Sequence, residues 1–190
     1  MAILHFIIPA LWILFTVYWV ISARFGKRTV VRTIWWKHLI LRAVILALVV
    51  IALSSATLRQ DLRLVQAYQL HHALIAVIGI ILVVFGITTA VWARIELGRN
   101  WGTPMSQQED PELVTGGPYA YVRHPIYSGI ILGMIGSAIG HSVAWTLPLV
   151  LFGAYFIYSA RREEEFMCRQ FPDSYPAYMQ RTNMLVPNVL

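Results

Sequence analysis

Five apolar runs order this chain, at residues 2–21, 39–58, 70–92, 125–140 and 142–160. A helix of about 20 residues crosses the hydrocarbon core of a bilayer, so each run is read as a transmembrane helix, the fourth being the shortest. Pro9 stands inside the first run, where a proline can kink a helix. Arg42 lies one turn into the second, close enough to the interface for its side chain to reach water. The turn between the fourth and fifth runs is so short that they are expected to pair as a tight antiparallel hairpin. Residues 93–124 hold the densest punctuation, with Gly98, Gly102, Pro104, Pro111, Gly116, Gly117 and Pro118, and are predicted to form a loop with one short helix. Gly129, Gly133, Gly136 and Gly140 recur along the fourth run, a small-residue stripe that lets another helix backbone come close.

Composition agrees with this pattern: 58% of the 190 residues are hydrophobic and 13% charged, too apolar for an ordinary soluble domain. The chain is therefore read as one all-α integral-membrane domain, with three helices in residues 1–92 and two in residues 93–190. The net charge of +6 reflects basic residues beside apolar runs, such as Arg24, Lys27, Arg28, Arg32 and Lys37, and not a nucleic-acid partner. By the positive-inside rule these loops place the N-terminus outside and the C-terminal tail in the cytoplasm. The N-terminus has no basic stretch before its apolar run and is expected to stay as a mature span. The single cysteine, Cys168, excludes an internal disulfide and a CxxC metal motif. His71 and His72 are adjacent and so point to different faces of a helix, unsuited to one metal. The tryptophans sit mostly near the ends of the runs, as interfacial aromatic belts do; Trp101 is the exception.

The chemistry concentrates where the fourth run starts and the fifth ends. The first place reads Arg123-His124-Pro125-Ile126-Tyr127-Ser128-Gly129, the second Arg161-Arg162-Glu163-Glu164-Glu165, and a hairpin would bring them together on the cytoplasmic side. Pro125 suits a first helical turn and holds His124 extended, leaving free backbone N–H groups that favour an anion. Carboxylates beside the C-terminal end of a span oppose the helix dipole unless the helix continues into water, so a cation is expected nearby. A zwitterion carrying an extra cation would satisfy both ends, with rings such as Tyr119 and Tyr127 between them. S-adenosylmethionine fits that description, as do other ligands of similar charge.

Residues 113–129, LVTGGPYAYVRHPIYSG, closely resemble the pattern of the isoprenylcysteine carboxyl methyltransferase family, and Glu163-Glu164-Glu165 followed by Phe171, Tyr175, Tyr178 and Pro187 resembles its acidic and aromatic tail. The resemblance covers residues 95–190. It implies an integral-membrane, S-adenosylmethionine-dependent methyltransferase, with S-adenosylhomocysteine as product, a lipophilic or prenylated acceptor, most simply an isoprenylcysteine-like or other lipid-borne carboxylate, and membrane lipids as partners. It also implies cofactor contact by Glu112, Leu113, Val114, Tyr119, His124, Pro125, Ile126 and Tyr127, with a residue of 106–108 contributing. Glu163, or after it Glu164, would close the site, and Arg123, His124, Glu163 and Glu164 would carry the chemistry; no metal is implied. Ser159 stands where family members often carry an arginine, to which Arg161 or Arg162 offers a substitute. A phospholipid amine methyltransferase, a nicotinamide-dependent sterol-type reductase and a non-enzymatic membrane protein are the competing readings.

Overall fold

A computed structural model of the chain describes residues 2–22, 24, 44, 73–101 and 112–187. Apart from Val44, the second apolar run lies outside the described residues, as do His71, His72 and residues 106–108. Among the described residues there are five α-helices and no strand: α1 (Ala2–Ser22), α2 (Ala73–Leu97), α3 (Pro125–Gly140), α4 (Thr146–Gln170) and α5 (Tyr175–Arg181). The first, third, fourth and fifth runs are thus α1 to α4, with α3 at the bounds its proline and final glycine set. Helices α2 and α4 lie within the two stretches, Ala73–Asn100 and Val143–Gln170, that are long and apolar enough to cross a membrane; α1 and α3 are apolar over shorter lengths. Large apolar side chains face outward, Phe6 at 73%, Leu74 at 78% and Phe85 at 64% exposure. Such a surface is costly in water and matched by acyl chains, so the protein is membrane-associated.

One expectation needs correction. The loop expected from residue 93 begins later: α2 continues to Leu97 and a 3₁₀ turn to Asn100. Arg94 explains this, because its buried guanidinium donates to the carbonyls of Gly98 (2.7 Å) and Ser22 (2.6 Å) and lies 4.6 Å from the centroid of the Trp101 ring. One cation thereby satisfies exposed carbonyls at the negative ends of both α1 and α2. The closest helix packing lies between α2 and α3.

The glycine stripe meets glycines of α2. A methyl group on Gly86 would run into the Gly129 carbonyl and stand 2.6 Å from Gly133 N, and one on Gly136 would stand 2.6 Å from Gly79 O. Backbone cannot yield as a flexible side chain can, so Gly86→Ala is expected to lower stability by about 1–3 kcal/mol through overpacking, more than the ~1 kcal/mol of helix propensity it gains. Gly153 of α4 has nothing within 4 Å of the same added carbon, so Gly153→Ala should be neutral or stabilising. Thermal unfolding of both variants in detergent measures the difference; equal midpoints would contradict backbone contact between α2 and α3.

Candidate functional site

The site is built where α3 starts and α4 nears its end. His124 has non-helical backbone (φ −124°, ψ 58°) and Pro125 opens α3, the arrangement expected when a proline fixes the first turn. The C-terminal tail then runs alongside. Arg123 N donates to Asn183 O (2.9 Å) and His124 N to Met184 O (3.0 Å), and Ser128 Oγ donates to Leu185 O (2.6 Å). Val122 and Asn183 form a parallel bridge. The Asn183 and Met184 carbonyls occupy N–H groups that would otherwise be unsatisfied at the entry to α3.

Helix α4 carries the glutamates without a break and ends only at Gln170. Successive residues on a helix point about 100° apart, so the three have different surroundings. Glu164 is buried and takes Arg123 Nε at 2.6 Å. Glu163 keeps a quarter of its side chain exposed, accepts from the Tyr127 hydroxyl at 2.7 Å and lies 3.5 Å from His124 Nδ1. Glu165 is exposed and pairs with Arg162 at 2.8 Å. The structure thus brings together Arg123, His124, Tyr127, Glu163 and Glu164, and leaves Glu165 and Arg162 outside.

Arg123 is engaged within the protein, donating to Glu164 and to the carbonyls of Met179 and Thr182. It therefore clamps the tail onto α4. Aromatic faces lie between the charges: the rings of His124 and Tyr127 stack at 5.5 Å, and Tyr127 and Phe156 at 4.8 Å. Tyr119 is buried and anchored through its carbonyl by the Tyr178 hydroxyl (2.6 Å). Burial, reinforced by Glu163, pushes its phenol well above the ordinary range, so it is neutral at physiological pH. Of the loop residues, Glu112 accepts from Asn100 Nδ2 at 3.2 Å, Leu113 and Val114 are half-buried, and Ile126 packs against the core around Tyr127.

Sequence reading missed Arg94 and Glu96. Arg94 lay in a stretch classed as loop. The Glu96 carboxylate fits over Gly116 and Gly117, and a methyl on Gly117 (φ +54°) would stand 2.9 Å from its Cδ and Oε2; only the glycine pair before Tyr119 hinted at a close neighbour. Among the described residues, no group of three His, Cys, Asp or Glu side chains is placed to hold a metal ion.

His124 is the titratable centre. Burial opposes its charge, but the close carboxylates of Glu163 and Glu164 outweigh this and hold its pKa above the ordinary 6.5. A raised folded-state pKa contributes stability in full below about pH 6.5, and that contribution is lost as pH rises through the folded value. The thermal midpoint of the wild type is therefore expected to fall as pH increases above neutrality, and a His124→Asn variant should show a flatter profile. Parallel profiles for the two proteins would refute charged His124 in the folded state.

Fold and site define a helical membrane protein whose basic, acidic and aromatic side chains meet at one end of its bundle. Residues 74–174 match the family described as phospholipid methyltransferase, and the chain belongs to that family. It is 34% identical over 96 residues to the cobalt-zinc-cadmium resistance protein CzcN of Cupriavidus metallidurans, covering 49% of this chain and 44% of that protein. To the protein-S-isoprenylcysteine O-methyltransferase of Schizosaccharomyces pombe it is 29% identical over 99 residues, 50% of this chain and 42% of the relative. With the Xenopus laevis protein of the same name it shares 31% over 121 residues, 60% and 41% of the two chains. The matched region thus spans less than half of each of these three relatives. The yeast and frog proteins bear out the family resemblance read from the two motifs.

Proposed function

We propose that this chain is an S-adenosylmethionine-dependent methyltransferase of the membrane interface, acting on the carboxylate of a lipophilic, isoprenylcysteine-like acceptor. The observation that carries this reading is the 2.7 Å hydrogen bond from Tyr127 to Glu163, which joins the two motifs across 36 residues. The residues fit the cofactor. Glu163 is a partly exposed carboxylate beside stacked rings, suited to a sulfonium. His124 Nε2 is buried and, though 3.3 Å from Glu164, makes no hydrogen bond of good geometry. When bound, S-adenosylmethionine supplies an electrophilic methyl group and leaves as S-adenosylhomocysteine. Glu112, Leu113, Val114 and Tyr119 would line the cofactor from the loop side, His124, Pro125, Ile126 and Tyr127 from α3, and Glu163 from α4.

Five spans, with the N-terminus outside and this site on the cytoplasmic face, complete the topology we assign; the scaffold would be residues 1–92 and the cofactor half residues 93–190. A carboxylate acceptor needs no general base, whereas an amine would have to lose a proton. His124 is held toward its protonated form and Glu164 is engaged by Arg123, which favours the carboxylate over a phospholipid amine. Purified protein incubated with methyl-labelled S-adenosylmethionine and N-acetyl-S-farnesylcysteine should yield a base-labile labelled product, and calorimetry should show S-adenosylhomocysteine binding. Tighter binding of NADPH than of S-adenosylhomocysteine would overturn the proposal in favour of a reductase.

A further inference from the structure

His124 stands between two carboxylates that are not equivalent. Its Nδ1 lies 3.5 Å from Glu163 Oε2 and its Nε2 3.3 Å from Glu164 Oε1, while its backbone N–H donates to Met184 O. Both ring distances exceed those of strong charge-assisted hydrogen bonds, so what ties the ring to the pair is chiefly charge. The Glu164 side chain is 11% exposed and already held by Arg123. Glu163 is 25% exposed, with the Tyr127 hydroxyl on its other oxygen. An incoming cation can therefore reach Glu163 where it meets solvent, and finds the buried ring already on the same carboxylate.

The groups around the ring fix the charge balance. Glu163 and Glu164 face it from α4, and Arg123 precedes it and holds Glu164. From α3 the ring of Tyr127 stacks on it at 5.5 Å. The phenols of Tyr119, in the turn Gly117–Ala120, and of Tyr175 and Tyr178, on α5, are close enough to feel the charge of Glu163 or Glu164 and are pushed up by burial, so all three stay neutral. With His124 protonated, two cations balance two anions. A bound sulfonium leaves this partly buried cluster with one positive charge in excess, which is unfavourable. A thioether in the same place adds no charge.

We infer that His124 is a specificity-determining residue for the nucleoside: while protonated it competes with the sulfonium for Glu163 and so weakens S-adenosylmethionine relative to S-adenosylhomocysteine. This rests on the proposed methyltransferase reading. It requires no contact between the ring and the nucleoside, since the competition runs through the shared carboxylate. The coupling is reciprocal. As pH rises through the folded pKa of His124, the sulfonium form gains affinity and the product does not; in turn, binding of the sulfonium form releases a fraction of a proton from the ring to the buffer.

Calorimetry on the full-length protein in detergent tests this, with S-adenosylmethionine and S-adenosylhomocysteine as probes at about pH 6 and about pH 9, in buffers of differing ionisation enthalpy. Titration of the free nucleosides supplies the share of their own amino groups. After that correction, affinity for S-adenosylmethionine relative to S-adenosylhomocysteine is expected to rise about tenfold over this range, roughly one pKa unit of coupling. The first nucleoside should release a fraction of a proton and the second none. His124→Asn should hold the ratio near its high-pH value throughout. A wild-type ratio that does not change with pH, or one that changes equally in the variant, would overturn the inference. Should the variant fail to fold, the wild-type proton count decides alone, and equal release by the two nucleosides overturns the inference. If neither nucleoside binds, the proposed function fails and this inference with it, whereas binding of both with one shared pH dependence removes this inference only.

Discussion

Arg123→Ala is expected to be the most destabilising single change in the described part of the chain, at about 3–5 kcal/mol, because it leaves the buried Glu164 carboxylate without its partner. The two side chains are 10% and 11% exposed and meet at 2.6 Å. The same guanidinium also donates to the carbonyls of Met179 and Thr182, so its loss frees the tail as well as the glutamate. Arg123→Lys should rescue only part of the effect, since an ammonium cannot reproduce the planar fork that spans a carboxylate and two carbonyls. Replacing both partners by apolar residues, as in Arg123→Met with Glu164→Met, should recover more stability than either single variant. Thermal unfolding decides between these outcomes: a double variant no better than Arg123→Ala would show that the tail carbonyls, and not the ion pair, dominate.

Glu163→Gln is expected to have the largest effect on turnover, lowering kcat/KM by about 10²–10³-fold, the range found when one preorganised electrostatic partner is removed from a reacting centre. Its stability cost should be small, because the side-chain carbonyl of the introduced glutamine can still accept from the Tyr127 hydroxyl. Glu165→Gln serves as the control, since Glu165 is exposed and its ion pair with Arg162 is of the kind worth at most about 1 kcal/mol. Measured on the same preparation, equal activities of the two variants would remove Glu163 from the reaction.

The legibility of this fold in the sequence varies element by element. The limits of α3 could be read directly because Pro125 opens it, and the stripe ending at Gly140 closes it beside His141. The end of α2 could not: Arg94 and Glu96 look like loop residues in a window of hydropathy, whereas the carbonyls of Ser22 and Gly98 and the ring of Trp101 make a buried arginine tolerable there. The glycine stripe announced close helix contact but not its partner, because Gly79 and Gly86 stand seven residues apart in a run that is apolar throughout. Within the site, the motifs identified Tyr127 and Glu163, and the structure places them in contact. The division of labour among Glu163, Glu164 and Glu165 depends on their angular positions on α4, and the inward turn of Arg123 depends on tail carbonyls 56 and 59 residues away.

That last dependence has a consequence for how the protein matures. The strand-like pairing of residues 182–185 with residues 122–128 supplies hydrogen bonds that α3 cannot obtain from its own neighbours in sequence. During synthesis α3 would form with its entry turn still without these partners, and the cluster of Arg123, His124 and Glu164 would gain its final shape only when the later segment arrives. Cleavage between Arg181 and Met184 should accordingly leave the bundle inserted yet inactive.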